Sequence, residues 1–300
     1  MLRIRLPWRR TNDRPSENAV PREREKRGKA VPRGRVPRLR IVRPTRARGF
    51  FVVLGRNKIA IVAVVVAVIA IFAAISHPRI VGAAATTREL PVYSVERDNK
   101  AISLTFDAAW GNEDTEELIE ILGTYNVRAT FFVVGAWAEK FPESVRALAD
   151  AGHEVMTHSN NHEHFTKLSA NEIIANINAS NEKIARVTGK TPTLFRAPYG
   201  EYDDNVIKTV KSMGITTVQW DVDSLDWKDI SAAEITKRVT GKAAPGSIVL
   251  FHNAALHTPE ALPSIIEHLI KEGFAIVPVS ELLLTGDCVI DHTGRQSVRG

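Results

Sequence analysis

From Lys100 onward, short apolar runs alternate with segments of helical period, and this alternation restricts the fold more than any other feature of the 300-residue chain. Residues 101–106, 129–134, 153–157, 193–195, 215–220, 247–251 and 274–277 read as strands. Helical patterns separate them at 114–122, from Phe141-Pro142-Glu143 through Ala149 to a stop at Gly152, at 169–187 closed by Gly189, and at 203–213, 232–239 and 260–270. Seven strands alternating with helices imply parallel pairing, as an open doubly wound sheet or as an incomplete barrel. No internal repeat chooses between the two.

The charge is distributed unevenly. Up to Lys58 there are 19 Lys and Arg against 4 Asp and Glu, a net +15, which leaves 21 basic against 30 acidic residues, or −9, for the remainder. The high pI is therefore a property of the tail. That tail carries no base-reading or stacking module, so nucleic acid is not an expected partner, and no obligate protein partner is inferred. Residues 1–58 are rich in Arg and Pro and bury too little apolar area to offset ordering, so a disordered tail is expected. Residues 59–75 form an uninterrupted Ile, Val, Ala and Phe run, read as one transmembrane helix, with Arg46, Arg48, Arg56 and Lys58 crowding its N-terminal flank. That bias predicts a single-pass cell-membrane protein with a cytoplasmic N-terminus, an extracytoplasmic domain and the lipid bilayer as partner; cleaved secretion is the alternative. The remaining expected boundaries are a linker over 76–99, a folded domain over 100–285 and a flexible C-terminal tail over 286–300. Cys288, the only cysteine, has no intrachain partner to form a disulfide.

Chemistry-bearing residues follow the expected strands at their C-terminal ends: Asp107, His158 with His162, Arg196, Asp226 with Trp227, and His252. In either α/β architecture active sites are assembled at that edge. The four-residue spacing of His158 and His162 puts two imidazoles on one side of a helical turn, which suits Zn²⁺ or Co²⁺. His164 reads as loop or substrate rim. Asp107 ends an apolar strand, where an unpaired carboxylate is expensive; a base, a metal ligand and a salt-bridge partner are all open readings. Arg196 in Arg196-Ala197-Pro198-Tyr199-Gly200 could hold such a carboxylate ionised.

These segments together resemble the polysaccharide deacetylase, or NodB-homology, family of carbohydrate esterases. The resemblance runs from about Ala101 to Leu284 and rests on Thr105-Phe106-Asp107, the His-Ser-x-x-His segment at His158, the Arg196 turn, Asp223-Ser224-Leu225-Asp226-Trp227 and Leu250-Phe251-His252. It implies a distorted seven-stranded (β/α) barrel and a metal-dependent amide hydrolase acting on N-acetylated cell-wall or spore-cortex glycan. It further implies that His158 and His162 hold a divalent metal and that Asp107 takes a proton from water while oriented by Arg196. The Tyr199 N–H would stabilise the oxyanion, and His252, assisted by Asp226, would protonate the leaving amine with Trp227 packed beside the site.

One departure bears on activity. The family's motif carries two consecutive aspartates, the second a metal ligand, whereas here Asp107 is followed by Ala108. Asp107 itself could ligate, a nearby acid such as Asp114 could substitute, or the metal site could be weak. The Phe106-Asp107-Ala108-Ala109-Trp110-Gly111 form of the motif is similar to the sporulation branch of the family. Two functions are therefore carried forward: glycan N-deacetylation, and a catalytically weak or inactive glycan-binding or morphogenetic role on the same fold.

Overall fold

The computed structural model describes residue 61, residues 63–69 and residues 88–299. The chain divides into two compact units, Met1–Ala85 and Thr86–Gly300. In the first, residues 61 and 63–69 are helical and exposed. Among the described residues no helix is long and apolar enough to cross a membrane. The expected transmembrane helix, the single-pass membrane localisation and the bilayer as partner are corrected accordingly. The rest of the apolar run, the basic tail and residues 76–87 lie outside the described residues.

The second unit is built on parallel strands. In chain order its strands are β1 (Ser94–Val95), β2 (Ala101–Ala108), β3 (Thr130–Val133), β4 (Glu154–Thr157), β5 (Leu194–Phe195), β6 (Thr216–Thr217), β7 (Val222–Asp223), β8 (Ile248–His252), β9 (Ala275–Ile276), β10 (Cys288–Ile290) and β11 (Arg295–Val298). Its helices are α1 (Thr115–Thr124), α2 (Gly135–Lys140), α3 (Pro142–Asp150), α4 (Ala170–Thr188), α5 (Asp204–Ser212), α6 (Ala232–Thr240), α7 (Thr258–Lys271) and α8 (Val279–Leu282). Local sequence sets several ends. Ser169 with Glu172 and Ser231 with Glu234 form capping boxes at α4 and α6, Asp203 accepts from the Val206 N–H at α5, and Gly189 closes α4 at φ 73°.

The main sheet runs β6-β5-β4-β3-β2-β8-β7, with β9 beside the start of β2. β6 and β7 are its two ends, yet only residues 218–221 separate them in the chain. Laid flat, seven strands would put the end strands about 29 Å apart, whereas the five residue steps from Thr217 to Val222 reach at most about 18 Å. The sheet must therefore curl. With β6 and β7 unpaired, it is a curled, open half-barrel, which replaces the expected seven-stranded barrel behind a transmembrane helix.

Side-chain alternation along β2 sorts the interior. Ile102, Leu104, Phe106 and Ala108 belong to the larger core, packed with Leu118 and Leu122 of α1, Val145 and Leu148 of α3 and Leu262, Ile265 and Leu269 of α7. Ser103, Thr105 and Asp107 take the opposite parity. The Ser103 hydroxyl donates to Val277 O at 2.7 Å and the Thr105 hydroxyl to Val249 O at 2.7 Å, so both are satisfied within the fold. A second core of Phe132, Met156, Leu194, Val218 and Ile248 packs with Val92, Val95, Val279 and Leu282. Residues assigned to the linker and to a flexible tail instead make a small sheet, β1 parallel to β11 and β11 antiparallel to β10.

Candidate active site

The inward parity of β2 delivers Asp107 beside Arg196, which follows β5, and His158, which follows β4. Arg196 is fully buried, and its Nη1 donates to Asp107 Oδ1 at 2.8 Å and to Thr105 Oγ1 at 2.9 Å, while Nη2 donates to Gln219 O at 3.1 Å. The guanidinium also lies 4.1 Å from the centre of the Phe132 ring. Burial opposes ionisation of Asp107, but Arg196, His158 and His252 outweigh it and hold the carboxyl below its usual range.

His158 Nδ1 lies 2.8 Å from Arg196 O, and a carbonyl can only accept, so that nitrogen carries the proton. Burial holds the His158 ring pKa down, which leaves an Nε2 lone pair 3.6 Å from Asp107 Oδ2. His162 stands beside it, ring centres 5.0 Å apart. The two are brought together by a loop, not by the expected helical turn: Ser159 has φ 76° and His162 φ 58°, and the Ser159 hydroxyl accepts from the His162 N–H at 2.8 Å. Burial, with His158 adding to it, brings the His162 pKa down to about 4.

On the other side of β2, Asp226 and His252 form a second pair. Asp226 is fully buried and accepts four hydrogen bonds: Oδ1 from His252 Nδ1 and Trp227 N, Oδ2 from His252 N and the Thr258 hydroxyl, each at 2.8 Å. Burial lowers the His252 pKa, but the bond to Asp226 and its charge outweigh that effect and raise it overall. With Nδ1 engaged, Nε2 is the ring nitrogen left for a ligand.

Asp107, His158, His162, Tyr199, Trp227 and His252 all line one cleft of about 710 Å³. Arg196 and Asp226 support it from within. Tyr199 has φ 59°, and nothing among the described residues accepts a hydrogen bond from its N–H. His164 stacks on Tyr199 at 4.4 Å and pairs with Glu201 at 2.8 Å, in keeping with a rim position.

Sequence reasoning missed Asn253. Its side chain accepts from Ala109 N at 3.1 Å and donates to Trp110 O at 2.5 Å and Gly111 O at 2.9 Å, clamping the loop after β2. An asparagine after a strand signals a turn, and only its place beside His252 hinted at more.

The donor set decides how well a divalent ion fits. Two imidazoles are present, Asp107 gives its Oδ1 to Arg196 with Oδ2 3.6 Å from His158 Nε2, and Ala108 packs in the larger core and contributes no donor. Asp114, the candidate substitute, accepts from the Ala254 N–H at 2.8 Å. Among the described residues no group of three or more His, Cys, Asp or Glu side chains is placed to hold a metal. The donor set does not fit the three-ligand site the resemblance implied.

The family profile for polysaccharide deacetylases matches residues 94–218. A peptidoglycan-N-acetylglucosamine deacetylase of Bacillus cereus is 36% identical over 192 residues, covering 62% of this chain and 70% of that protein. The peptidoglycan-N-acetylmuramic acid deacetylase PdaC of Bacillus subtilis is 34% identical over 63% of this chain but only 40% of its own length. Among solved structures, a CE4-family pseudoenzyme from Bacillus anthracis superposes with a TM-score of 0.62 at 34% identity, covering 64% of this chain and 68% of that one. A mutant of that pseudoenzyme, described as having restored enzymatic activity, superposes with the same score at 35% identity, over 64% of this chain and 70% of its own. None of these relatives is named for a role in sporulation. Family membership supports a potentially metal-using deacetylase fold. The curled sheet, the order of the motifs around one cleft and these identities give one conclusion: the chain belongs to the polysaccharide deacetylase family, among the peptidoglycan deacetylases.

Proposed function

We propose that this chain is a glycan-binding member of the family, catalytically weak or inactive in N-deacetylation, that takes N-acetylated cell-wall glycan of the peptidoglycan type into the cleft above Asp107 and His252. The observation that carries the reading is the donor set: Ala108 follows Asp107 where the family supplies a second carboxylate, and among the described residues no group of three or more His, Cys, Asp or Glu side chains is placed to hold a metal. A cation held by two imidazoles alone is held weakly. The pseudoenzyme relatives support the same reading.

Hydrolysis is the second reading, favoured by the pairing of Asp107 with Arg196 and of His252 with Asp226. Under it Asp107 takes a proton from water, the Tyr199 N–H faces the developing oxyanion, Trp227 packs beside the acetyl group, and His252 Nε2 protonates the departing amine. Sugar binding does not by itself require two such buried ion pairs.

One experiment separates the two. Binding of defined N-acetylated peptidoglycan and chitin fragments is measured by calorimetry, and acetate release from the same fragments is followed with added Zn²⁺ or Co²⁺ from pH 5 to 9. Binding with little or no release is expected. Turnover at the rate of an active family member, measured alongside, overturns the proposal.

A further inference from the structure

Among the described residues the exposed aromatic side chains are Trp110, Tyr199 and Trp227, and all three line the cleft. Tyr199 and Trp227 fall within motifs already assigned to the site. Trp110 has been given no role: it sits in the loop between β2 and α1 and is 66% exposed.

That loop is held by side-chain hydrogen bonds although its largest side chain is exposed. The Ala109 N–H and the Trp110 and Gly111 carbonyls are all bound by the Asn253 side chain. Gly111 O also accepts from the Trp137 indole N–H, and the Asn112 side chain donates to the Ser144 hydroxyl at 3.1 Å. Asn253 is buried, and its own N–H donates to Asp107 O at 3.1 Å. The Trp110 indole meets the His162 ring edge to face, centres 5.4 Å apart. Leaving a large aromatic side chain in water forgoes about 1.5–3 kcal/mol of burial, and here the loop that carries it is pinned by partly buried hydrogen bonds. A fixed, exposed flat ring at the mouth of a polar cleft is preorganised for a partner with a flat apolar face and a polar edge. A pyranose ring has that shape.

We infer that Trp110 is a platform for a second hexopyranose ring of the glycan, next to the one seated over Asp107 and His252, and that Asn253 is the positioning residue that holds it there. This rests on the glycan-binding reading above. Trp110 would make the cleft selective for chains over single sugars.

The test compares N-acetylglucosamine with its β-linked tetramer on the full chain, by calorimetry or by competition. Trp110→Ala should weaken tetramer binding about tenfold, the effect of a central aromatic contact, and leave the monosaccharide within about twofold. Trp110→Phe keeps a flat ring and should retain most of the tetramer affinity. Asn253→Ala should lower tetramer affinity with the indole still present. It should also shift the Trp110 emission, read as the difference from the same variant carrying Trp110→Phe. An unchanged tetramer affinity in Trp110→Ala, or an equal loss for monosaccharide and tetramer, overturns the platform while leaving the binding reading intact. A wild-type chain that binds neither ligand overturns both.

Discussion

The buried pair of Asp107 and Arg196 allows a quantitative test of the interior of the cleft. Arg196→Met removes the cation and leaves a carboxylate that is only 6% exposed. Removing one partner of a buried pair costs about 3–5 kcal/mol, because the other charge is left without its counterion. Asp107→Leu strands the guanidinium and should cost a similar amount. In Asp107→Leu/Arg196→Met neither charge remains, Thr105 still donates to Val249 O, and the new loss is the Gln219 carbonyl, about 1–3 kcal/mol for an unsatisfied acceptor. The double variant should therefore lie well below the sum of the singles, with a coupling of about 3 kcal/mol or more. Urea unfolding of the four proteins at pH 7 measures it. The sign of the pH dependence follows from Asp107, whose pKa is lowered in the folded state. Its contribution is present above the ordinary carboxylate pKa and is lost as pH falls through the lowered one. In Arg196→Met the carboxyl can be buried neutral, so that variant's deficit should shrink between pH 7 and pH 4. Additivity within about 0.5 kcal/mol, or a deficit that grows on acidification, would refute the reasoning.

Further expectations concern other titrating groups and one glycine. The raised pKa of His252 should be visible in an NMR titration and should fall in Asp226→Asn; its contribution to stability is present below the unfolded value of about 6.5 and lost as pH rises through the folded one. His153 is buried, accepts from the Ala129 N–H at 3.2 Å and has its pKa brought down to about 4 by burial, so only the unfolded chain takes its proton in mild acid. Wild type should accordingly lose roughly 3 kcal/mol relative to His153→Gln between pH 7 and 4, measured by urea unfolding. Gly246 has φ 83°, and an added Cβ would lie 1.6 Å from Val95 O, so Gly246→Ala should cost about 3 kcal/mol or more in thermal unfolding.

The alternation of strands and helices was legible because each element buries one face with its own period. The edge at which the polar residues gather was legible for the same reason. The curl was not, since it depends on which distant strands pair and on the short passage from β6 to β7. Residues 215–220 read as one strand, whereas β6 ends at Thr217 and β7 begins at Val222. The small sheet joins Ser94 to Arg295 through strands of two to four residues, too short for a period to announce them. The rings of His158 and His162 lie 5.0 Å apart through a left-handed loop and not the expected helical turn, because nothing in serine or histidine advertises a left-handed backbone. Asn253 was hidden by its ordinary role in turns. Residues 59–75 were read as a span from their apolar run and its basic N-terminal flank, whereas among the described residues no helix is long and apolar enough to cross a membrane.

The pairing of β2 also bears on how the molecule is made. On one side Thr105 registers with Thr130, 25 residues later, and on the other with Leu250, 145 residues later. A growing chain can form the first pairing as soon as β3 emerges, but the second edge of a wholly buried strand stays open until β8 has been synthesised. Until then that edge can pair with another nascent chain. Stalled chains ending before Ile248 should therefore self-associate more than chains extended past His252, because closing β8 onto β2 covers the edge from Ser103 to Asp107 and leaves only Ala101 and Ile102 to await β9.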